Sequence, residues 1–295
     1  MNAPSLRVAF QGELGAFSEE AIQQIWLGNA QPLPHRDFSD VIVAVQNGTA
    51  DRGVIPIENT IVGGISSAHD AITAAPDIHV TAETVVNVHH CLLGPPGATF
   101  DNVKMVLSHP VALAQCGNFF AKYPRLEVHA VYDTGGAALD VANVGDPEIA
   151  AVASRNAANR YKLQVLVPDI EDRADNQTRF LFISREAELF PLGTPSRTAV
   201  IISHEDRPGA LLRVMEPLAR YGMDIRRLES RPTGEPWSYL FFLEFDHAYG
   251  EPVVDLVLKQ MTTAARGLRV LGTFPRWNPG RRGSIGWRVG AQPGW

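Results

Sequence analysis

The sequence predicts an α/β protein with two domains. Its 295 residues are enough for about two domains of ordinary size, and 45% hydrophobic with 20% charged residues is close to the soluble average, which excludes disordered and fibrous classes. Over residues 1–184, short apolar runs alternate with helical periodicities, a pattern typical of a parallel or mixed sheet covered by helices. The pattern lapses over 185–197, and a second, shorter series of elements follows.

The strands of the first domain are predicted from its short apolar runs. They cover residues 7–10, 53–57, 80–88, 90–93, 104–107, 126–132, 149–153 and 178–184. Helices are predicted between them from apolar residues spaced three and four apart, and most should begin at a side chain that caps the first turn. The expected caps are Ser18, Ser39, Ser108, Asp133 and Ser154.

A linker is predicted over 186–196, a stretch that holds Pro191, Gly193 and Pro195. The elements beyond it are predicted as strand, helix, strand, strand, helix and strand, over 197–202, 209–220, 224–231, 237–245, 253–266 and 268–274. This βαββαβ order is the ferredoxin-like plan, so we expect a second domain over 197–275. Residues 276–295 are predicted to be a basic Gly/Pro-rich tail, either poorly ordered or docked on a partner.

Charge and motif spacing exclude several classes of protein. A net charge of −6 argues against a general nucleic-acid binder, and the apolar runs are too short to cross a membrane. Arg7 precedes any apolar stretch of signal-peptide length, which favours a cytoplasmic location. Adjacent His89 and His90 should point to opposite faces of a strand, so no metal site is predicted. Gly12-x-x-Gly15 lacks the other residues of a nucleotide-binding loop.

Polar residues recur where the predicted strands of the first domain lead into helices. These connections are residues 11–18, 56–60, 108–110, 133–136 and 154–156. Ligands of open α/β sheets bind at the carboxyl ends of strands, and helix N-termini offer backbone N–H groups to anionic oxygens. The sequence therefore predicts a site for a small anionic ligand, although each residue taken alone is also an ordinary helix cap.

Several strings of residues match one known family in order. They are Gly12-x-x-Gly15-Ala16-Phe17-Ser18-Glu19, Gly53 to Thr60, His90-x-Leu92, Ser108-His109-Pro110 with Gln115-Cys116, and Asn176-x-Thr178-Arg179-Phe180. Through them the first domain resembles prephenate dehydratase. The second domain is similar to the ACT regulatory domain attached to that enzyme, through Gly209-Ala210-Leu211 and Glu229-Ser230-Arg231-Pro232.

The resemblance implies a fold for the catalytic domain, expected over 1–185. It should have two α/β lobes like a type 2 periplasmic binding protein, with the active site between them. One lobe is expected over about 1–77 plus 165–185 and the other over 78–164, with crossings near 75–80 and 163–167.

The resemblance also implies an activity, the decarboxylating dehydration of prephenate to phenylpyruvate on the route to phenylalanine, with no cofactor and no metal. Thr178 is then expected to donate a hydrogen bond to the departing oxygen, with Glu58 or a water held by Asn59 as proton source. Asn59, Ser108 and Gln115 should line the cleft, with His90 nearby.

Substrate contacts are implied at further residues. Arg179 is a candidate anchor for a substrate carboxylate, with an internal salt bridge as the alternative because successive strand residues face opposite ways. Helix entrances at Ser18, Thr60 and Ser108 could supply N–H donors, and Phe180 belongs to the same motif as Thr178.

The ACT resemblance implies L-phenylalanine as an effector and assembly as a homodimer or homotetramer. The residues expected to bind phenylalanine are Gly209, Ala210, Leu211, Glu229, Ser230, Arg231 and Pro232. Two other functions remain open. Arogenate dehydratases carry a similar first motif and would give phenylalanine directly, and a non-catalytic sensor of small anions would use the same cleft.

Overall fold

A computed structural model of the protein describes residues 5–279. By its contacts the chain divides into two compact units. Of the described residues, one unit comprises 5–71 together with Thr84–Phe180, and the other comprises Ile72–Glu83 together with 181–279. Of the predicted tail, residues 280–295 lie outside the described residues.

The chain first builds most of a mixed sheet. Its elements are β1 (Leu6–Gln11), α1 (Phe17–Trp26), β2 (Ala30–His35), α2 (Phe38–Gln46), β3 (Arg52–Asn59), β4 (Gly63–Gly64), α3 (Ser66–Thr73) and β5 (His79–Asn87). Strand β1 pairs in parallel with both β2 and β3, so the carboxyl ends of these strands share one edge. The buried positions of β1 and β3, such as Phe10 and Ile55, supply its core.

A second sheet is built next, and the chain then returns to the first. The elements of the second sheet are β6 (Cys91–Gly94), β7 (Met105–Ser108), α4 (Pro110–Ala114), α5 (Gly117–Lys122), β8 (Glu127–Ala130), α6 (Thr134–Val144), β9 (Ile149–Ala153), α7 (Arg155–Tyr161) and β10 (Gln164–Val167). Strand β11 (Gln177–Ser184) completes the first sheet, whose main order is β2-β1-β3-β11-β5. The second sheet has the order β10-β6-β9-β7-β8, with apolar clusters on both faces.

The two sheets correspond to two lobes, but the lobes differ from the prediction. Strand β5 lies in the first sheet and β10 in the second, so the chain crosses between lobes near 88–90 and 168–176 rather than near 75–80 and 163–167. An apolar run predicts a strand, but the sheet that the strand joins depends on partner strands far away in sequence.

Two of the five expected helix caps are confirmed. Asp133 accepts a hydrogen bond from Gly136 N at 2.8 Å, and Ser154 accepts one from Ala157 N at 3.0 Å. The other three are wrong, because their helices begin earlier or later than the serine. The observed N-caps of α1, α2 and α4 are Ala16, Asp37 and His109.

Strand β2 is absent from the prediction because its sequence holds Pro32 and Pro34. Proline has no N–H to donate, so a strand that contains it is confined to a sheet edge, and β2 is the edge strand beside β1. The predicted helix after Ser108 is interrupted, since α4 ends at Ala114 and α5 begins at Gly117. Between them the carbonyl of Gln115 accepts a hydrogen bond from Asp172 N at 2.7 Å.

The second unit contains a four-stranded antiparallel sheet with two helices. Its elements are β12 (Pro195–Ser203), α8 (Ala210–Arg220), β13 (Asp224–Pro232), β14 (Tyr239–Ala248), α9 (Pro252–Ala264) and β15 (Gly267–Pro275). The strand order is β13-β14-β12-β15, and the helices pack on an apolar cluster that includes Val214 and Val257. The element order βαββαβ agrees with the sequence prediction.

Segment 72–83 groups with this second unit, although the sequence analysis placed it in the first domain. The Arg269 guanidinium donates hydrogen bonds to the carbonyls of Ile72 at 2.6 Å and Thr73 at 3.2 Å. The Glu83 carboxylate accepts hydrogen bonds from Arg197 at 3.1 Å and from Trp277 N at 2.9 Å. These contacts join residues about 110 to 200 positions apart, which no local pattern reveals.

The predicted fold class, two α/β lobes of the type 2 periplasmic-binding-protein kind followed by a ferredoxin-like domain, is confirmed. Within residues 5–279, no helix has the length and apolar character needed to span a membrane.

Candidate active site

A cavity of about 770 Å³ lies within the first unit, and residues of both lobes line it. This volume suits a small-molecule ligand. The polar side chains of the wall are those of Gln11, Arg36, Asp37, Ser39, Asn59, Ser67, Asp70, His90, His109, Gln115, Thr134 and Thr178. Four residues predicted from the sequence are therefore in the wall: Asn59, His90, Gln115 and Thr178.

Asn59 and Thr178 meet because β3 and β11 are neighbouring strands. The Asn59 Oδ1 atom accepts hydrogen bonds from the backbone N–H groups of Ile61 at 2.9 Å and Val62 at 3.1 Å. Those two donors fix the orientation of the amide, because only its oxygen can accept them. The Asn59 Nδ2 group then donates to Thr178 Oγ1 at 3.0 Å and to Asn176 Oδ1 at 2.8 Å.

Hydrogen bonds extend from Asn176 through Gln115 to His90. Because Asn176 Oδ1 is an acceptor, its Nδ2 donates to Gln115 Oε1 at 3.1 Å. That oxygen also lies 2.8 Å from His90 Nε2, which must carry a hydrogen to donate to it. Burial, partly offset by the hydrogen bond to Gln115, lowers the pKa of His90. His90 is therefore neutral at pH 7, with its proton on Nε2.

The chain of amides has a consequence for the Thr178 hydroxyl. Its oxygen accepts the Asn59 N–H, so its own hydrogen is not used in that contact and can be donated into the cavity. Thr178 is only 9% exposed, and this small exposed part belongs to the cavity wall. The geometry thus presents a hydroxyl donor to a ligand.

Arg179 and Glu58 are not in the cavity wall, which corrects two expectations. Arg179 Nη1 lies 3.8 Å from Glu58 Oε2, so the alternative of an internal salt bridge describes the structure. Successive strand residues face opposite ways, and Thr178 faces the cavity. Glu58 consequently does not stand behind Thr178 as a proton source.

Four further predicted residues are absent from the cavity wall in the described part of the chain: Ser18, Thr60, Ser108 and Phe180. Ser108 is fully buried and donates to the carbonyl of Val152 at 2.6 Å. Thr60 Oγ1 donates to the carbonyl of Asp175 at 2.9 Å, which ties the two loops beside the cavity together. Ser18 and Phe180 are buried core residues.

The loop after β1 serves packing more than ligand binding. Gly15 N donates to Glu19 Oε2 at 2.5 Å, and the carbonyl of Gly15 accepts from Ser154 Oγ at 2.7 Å. Tyr161 Oη donates to the carbonyl of Leu14 at 2.5 Å. Since Ser154 and Tyr161 belong to the second lobe, the first motif joins the lobes, and its Gly15 N–H is not open to an anion.

Glu20, in the first turn of α1, is half-buried, and loss of solvent around its carboxyl raises its pKa to about 7, while the nearby Ser154 hydroxyl opposes this rise. The native protein therefore keeps a proton that an unfolded chain releases near pH 4.5. Stability should fall as pH rises from 4.5 to 7, by up to about 3 kcal/mol.

Urea unfolding at pH 5 and pH 8 tests this prediction. Glu20→Gln, which mimics the protonated acid, should match the parent at pH 5 and exceed it in stability at pH 8. Glu186→Gln, at an exposed acid, serves as control. Equal pH dependence in the parent and Glu20→Gln would contradict the assignment.

Several wall residues were missed by the sequence analysis. Arg36, Asp37 and Ser39 lie where β2 leads into α2, and overlooking β2 concealed that connection. Ser67 and Asp70 lie on α3, a helix for which no capping or ligand-binding residue was predicted. The signal that could have identified the first group is its place after a strand at the carboxyl edge of the sheet.

One cluster of metal-ligand types was not predicted. Donor atoms of His89, Asp169 and Glu171 lie within 4.8 Å of one another, and His89 and Asp169 are exposed. Glu171 is already engaged, since it lies 2.7 Å from His89 Nδ1 and accepts a hydrogen bond from His90 N at 2.9 Å. The hydrogen bond from His90 N to Glu171 holds the backbone of His90 in place. The cluster by itself does not establish a metal site.

The predicted regulatory residues lie in two parts of the second unit. Gly209 is the N-cap of α8 with φ of +75°, and Ala210 and Leu211 begin that helix. The segment 229–232 is on β13, an edge strand, where Glu229 is paired with Arg227 at 2.5 Å. Strand β14 separates β13 from β12, the strand that leads toward Gly209. The strand register places Ser203, Leu240 and Arg231 side by side, so both groups lie toward the same end of this sheet.

The fold and the cavity define a class of protein in which a two-lobed α/β domain holds a cavity of small-molecule size. A βαββαβ domain follows it along the chain. The family model for prephenate dehydratase matches residues 8–188, and the model for the ACT domain matches residues 198–263. The chain belongs to the prephenate dehydratase family and carries an ACT domain, which confirms the resemblance seen in the sequence.

Two of the similar curated proteins come from plants. The chain is 34% identical over 284 residues to arogenate dehydratase/prephenate dehydratase 2 of Arabidopsis thaliana, covering 93% of this chain and 74% of the relative. It is 35% identical to arogenate dehydratase 2 of Petunia hybrida, covering 92% of this chain and 72% of the relative.

Two solved structures are similar over nearly the whole chain. One is prephenate dehydratase from Arthrobacter aurescens in complex with L-Phe, with 29% identity, a TM-score of 0.84 and coverage of 92% of this chain and 90% of that one. The other, GqqA, is described as a novel type of quorum quenching acylase, with 31% identity, a TM-score of 0.84 and coverage of 93% and 100%.

Proposed function

We propose that this protein is a dehydratase lyase that converts prephenate to phenylpyruvate. The observation that carries the proposal is the Thr178 hydroxyl, which faces the cavity as a donor because Asn59 occupies its oxygen. Membership of the prephenate dehydratase family supports the choice of reaction.

In this reaction the bond between the ring and its carboxylate breaks, and its electron pair enters the ring. The C4–O bond breaks in turn, so carbon dioxide departs and the hydroxyl group leaves with one added proton as water. The ring becomes aromatic, which supplies the driving force. The protein has to orient the substrate and assist a poor leaving group, and Thr178 is placed to donate a hydrogen bond to the leaving oxygen.

The proton requires a different source from the two considered in the sequence analysis. Glu58 is paired with Arg179 outside the wall. Asn59 already donates two hydrogen bonds and accepts two, so its amide has no capacity left to hold a water. We assign the proton to solvent water within the cavity. The roles of His90 and Gln115 follow from the chain of amides, since both orient Asn176.

Arogenate is the alternative substrate, and the names of the plant relatives favour it. Arogenate carries an ammonium where prephenate has a keto group, and Asp37 and Asp70 in the wall are anions that could receive it. An acylase activity is not proposed, because the Thr178 hydroxyl contacts an amide N–H and not a base that would activate it as a nucleophile.

We propose L-phenylalanine as the effector, acting at the ACT domain within a homodimer or homotetramer. The similar structure in complex with L-Phe supports the ligand. The position of 229–232 on the edge strand β13, which has no strand on its other side within the described residues, supports a site completed by a second chain. A cytoplasmic location stays a prediction.

The test is turnover of prephenate and arogenate by the full chain, measured side by side with and without millimolar L-phenylalanine. We expect phenylpyruvate from prephenate, at a rate that phenylalanine changes. Faster release of phenylalanine from arogenate would shift the assignment to arogenate dehydratase. Binding of either substrate without turnover would favour the anion sensor. Unchanged rates and no heat of binding with phenylalanine would remove the effector.

A further inference from the structure

Arg36 is the one arginine or lysine among the residues that line the cavity in the described part of the chain. It follows the last residue of β2, at the carboxyl edge of the first sheet, and its side chain is exposed. Within residues 5–279, no hydrogen bond or ion pair engages its guanidinium group. An unengaged guanidinium in a cavity wall is well suited to bind a carboxylate through two parallel hydrogen bonds.

The surroundings make this cation important for an anionic ligand. Asp37 and Asp70 are also in the wall. Histidines aside, their two negative charges outweigh the positive charge of Arg36, so the wall as a whole does not attract an anion. Arg179, the anchor expected from the sequence, is turned to Glu58. A ligand with two negative charges therefore has Arg36 as its cationic contact in the cavity.

We propose that Arg36 binds the side-chain carboxylate of the substrate, the carboxylate that survives the reaction. This inference rests on the proposed function. The ring carboxylate must leave as carbon dioxide, and its charge moves into the ring as the transition state forms. A cation bound to it would stabilise the ground state more than the transition state and would slow the reaction. The side-chain carboxylate keeps its charge throughout, so binding it does not oppose the chemical step.

Loss of Arg36 should therefore change affinity and leave the chemical step nearly intact. We expect Arg36→Gln to raise KM for prephenate by about 10- to 100-fold, with kcat within about threefold of the parent. Arg36→Lys should fall between the two, because an ammonium keeps the charge and loses the paired hydrogen bonds. Arg185→Gln, at an exposed arginine outside the wall, is the matched control and should leave both constants unchanged.

The product provides the decisive measurement, because phenylpyruvate retains the side-chain carboxylate and lacks the ring carboxylate. Calorimetric titration with phenylpyruvate should show Kd weakened in Arg36→Gln by the same factor as KM. A raised KM with unchanged phenylpyruvate affinity would place Arg36 on the ring carboxylate and overturn the inference. Unchanged values for both would also overturn it, since Arg36 would then not bind substrate.

Failure of the proposed function would be visible separately, in the parent protein. A parent that neither turns over prephenate nor binds phenylpyruvate would refute the function and this inference together. If arogenate is the substrate, phenylalanine is the product and replaces phenylpyruvate in the titration. Its affinity for the catalytic cavity is then compared between the full-length parent and full-length Arg36→Gln.

Discussion

Replacing Thr178 by alanine is expected to lower kcat for prephenate by about 10²- to 10⁴-fold, with KM changed little. The variant removes the hydroxyl that the Asn59 amide turns toward the cavity. Without it the hydroxide leaves unassisted, and the interaction lost is one that strengthens as the C4–O bond breaks. Steady-state rates of phenylpyruvate formation check this result.

Two variants control for a purely structural effect of Thr178→Ala. Thr178→Ser retains the hydroxyl and should recover most of kcat. Thr81→Ala removes a buried threonine of the neighbouring strand β5 that lies outside the cavity wall, and it should retain activity. The role of Thr178 would be refuted by a folded Thr178→Ala protein that turns over as fast as the parent.

Gly15→Ala should lower the free energy of unfolding by about 2–4 kcal/mol. Gly15 has φ of +90°, which disfavours residues with a side chain. A Cβ atom there would lie 2.9 Å from Cα and Cβ of Ala157, so backbone in the second lobe would have to move. Urea denaturation followed by circular dichroism measures the change.

Gly28 offers a matched comparison, because its φ of +86° is similar and a Cβ atom there would meet nothing within 4 Å. Gly28→Ala should therefore lower the free energy of unfolding only through backbone strain, by about 1 kcal/mol. The excess cost at Gly15 reports the packing of the loop after β1 against α7. Equal costs at the two glycines would show that this packing contributes nothing.

The sequence was informative where the physics is local. Apolar runs located most strands, and Asp133 and Ser154 were recognised as caps because a short polar side chain beside a helix start acts within three residues. The linked motifs also placed Asn59 and Thr178 in one site.

Other features could not be predicted because they depend on long-range partners or on an irregular strand. Arg179 was placed correctly in its strand, but the choice between a ligand and Glu58 depends on the face that the neighbouring strand presents. Ser108 lies one residue before the N-cap of α4, which is His109, and its hydroxyl donates to the carbonyl of Val152, 44 residues away. Arg36 was missed together with β2, because two prolines hid an edge strand.

The backbone contacts of Asn59 limit which substitutions this site can accept during evolution. Two main-chain N–H groups set which end of the amide faces Thr178, and that end alone leaves the threonine hydrogen to the ligand. Aspartate at residue 59 would present an oxygen instead, and the threonine hydroxyl would then donate to it rather than to the departing group. Residue 59 is thus held to an amide side chain for as long as residue 178 supplies the hydroxyl that the chemistry uses.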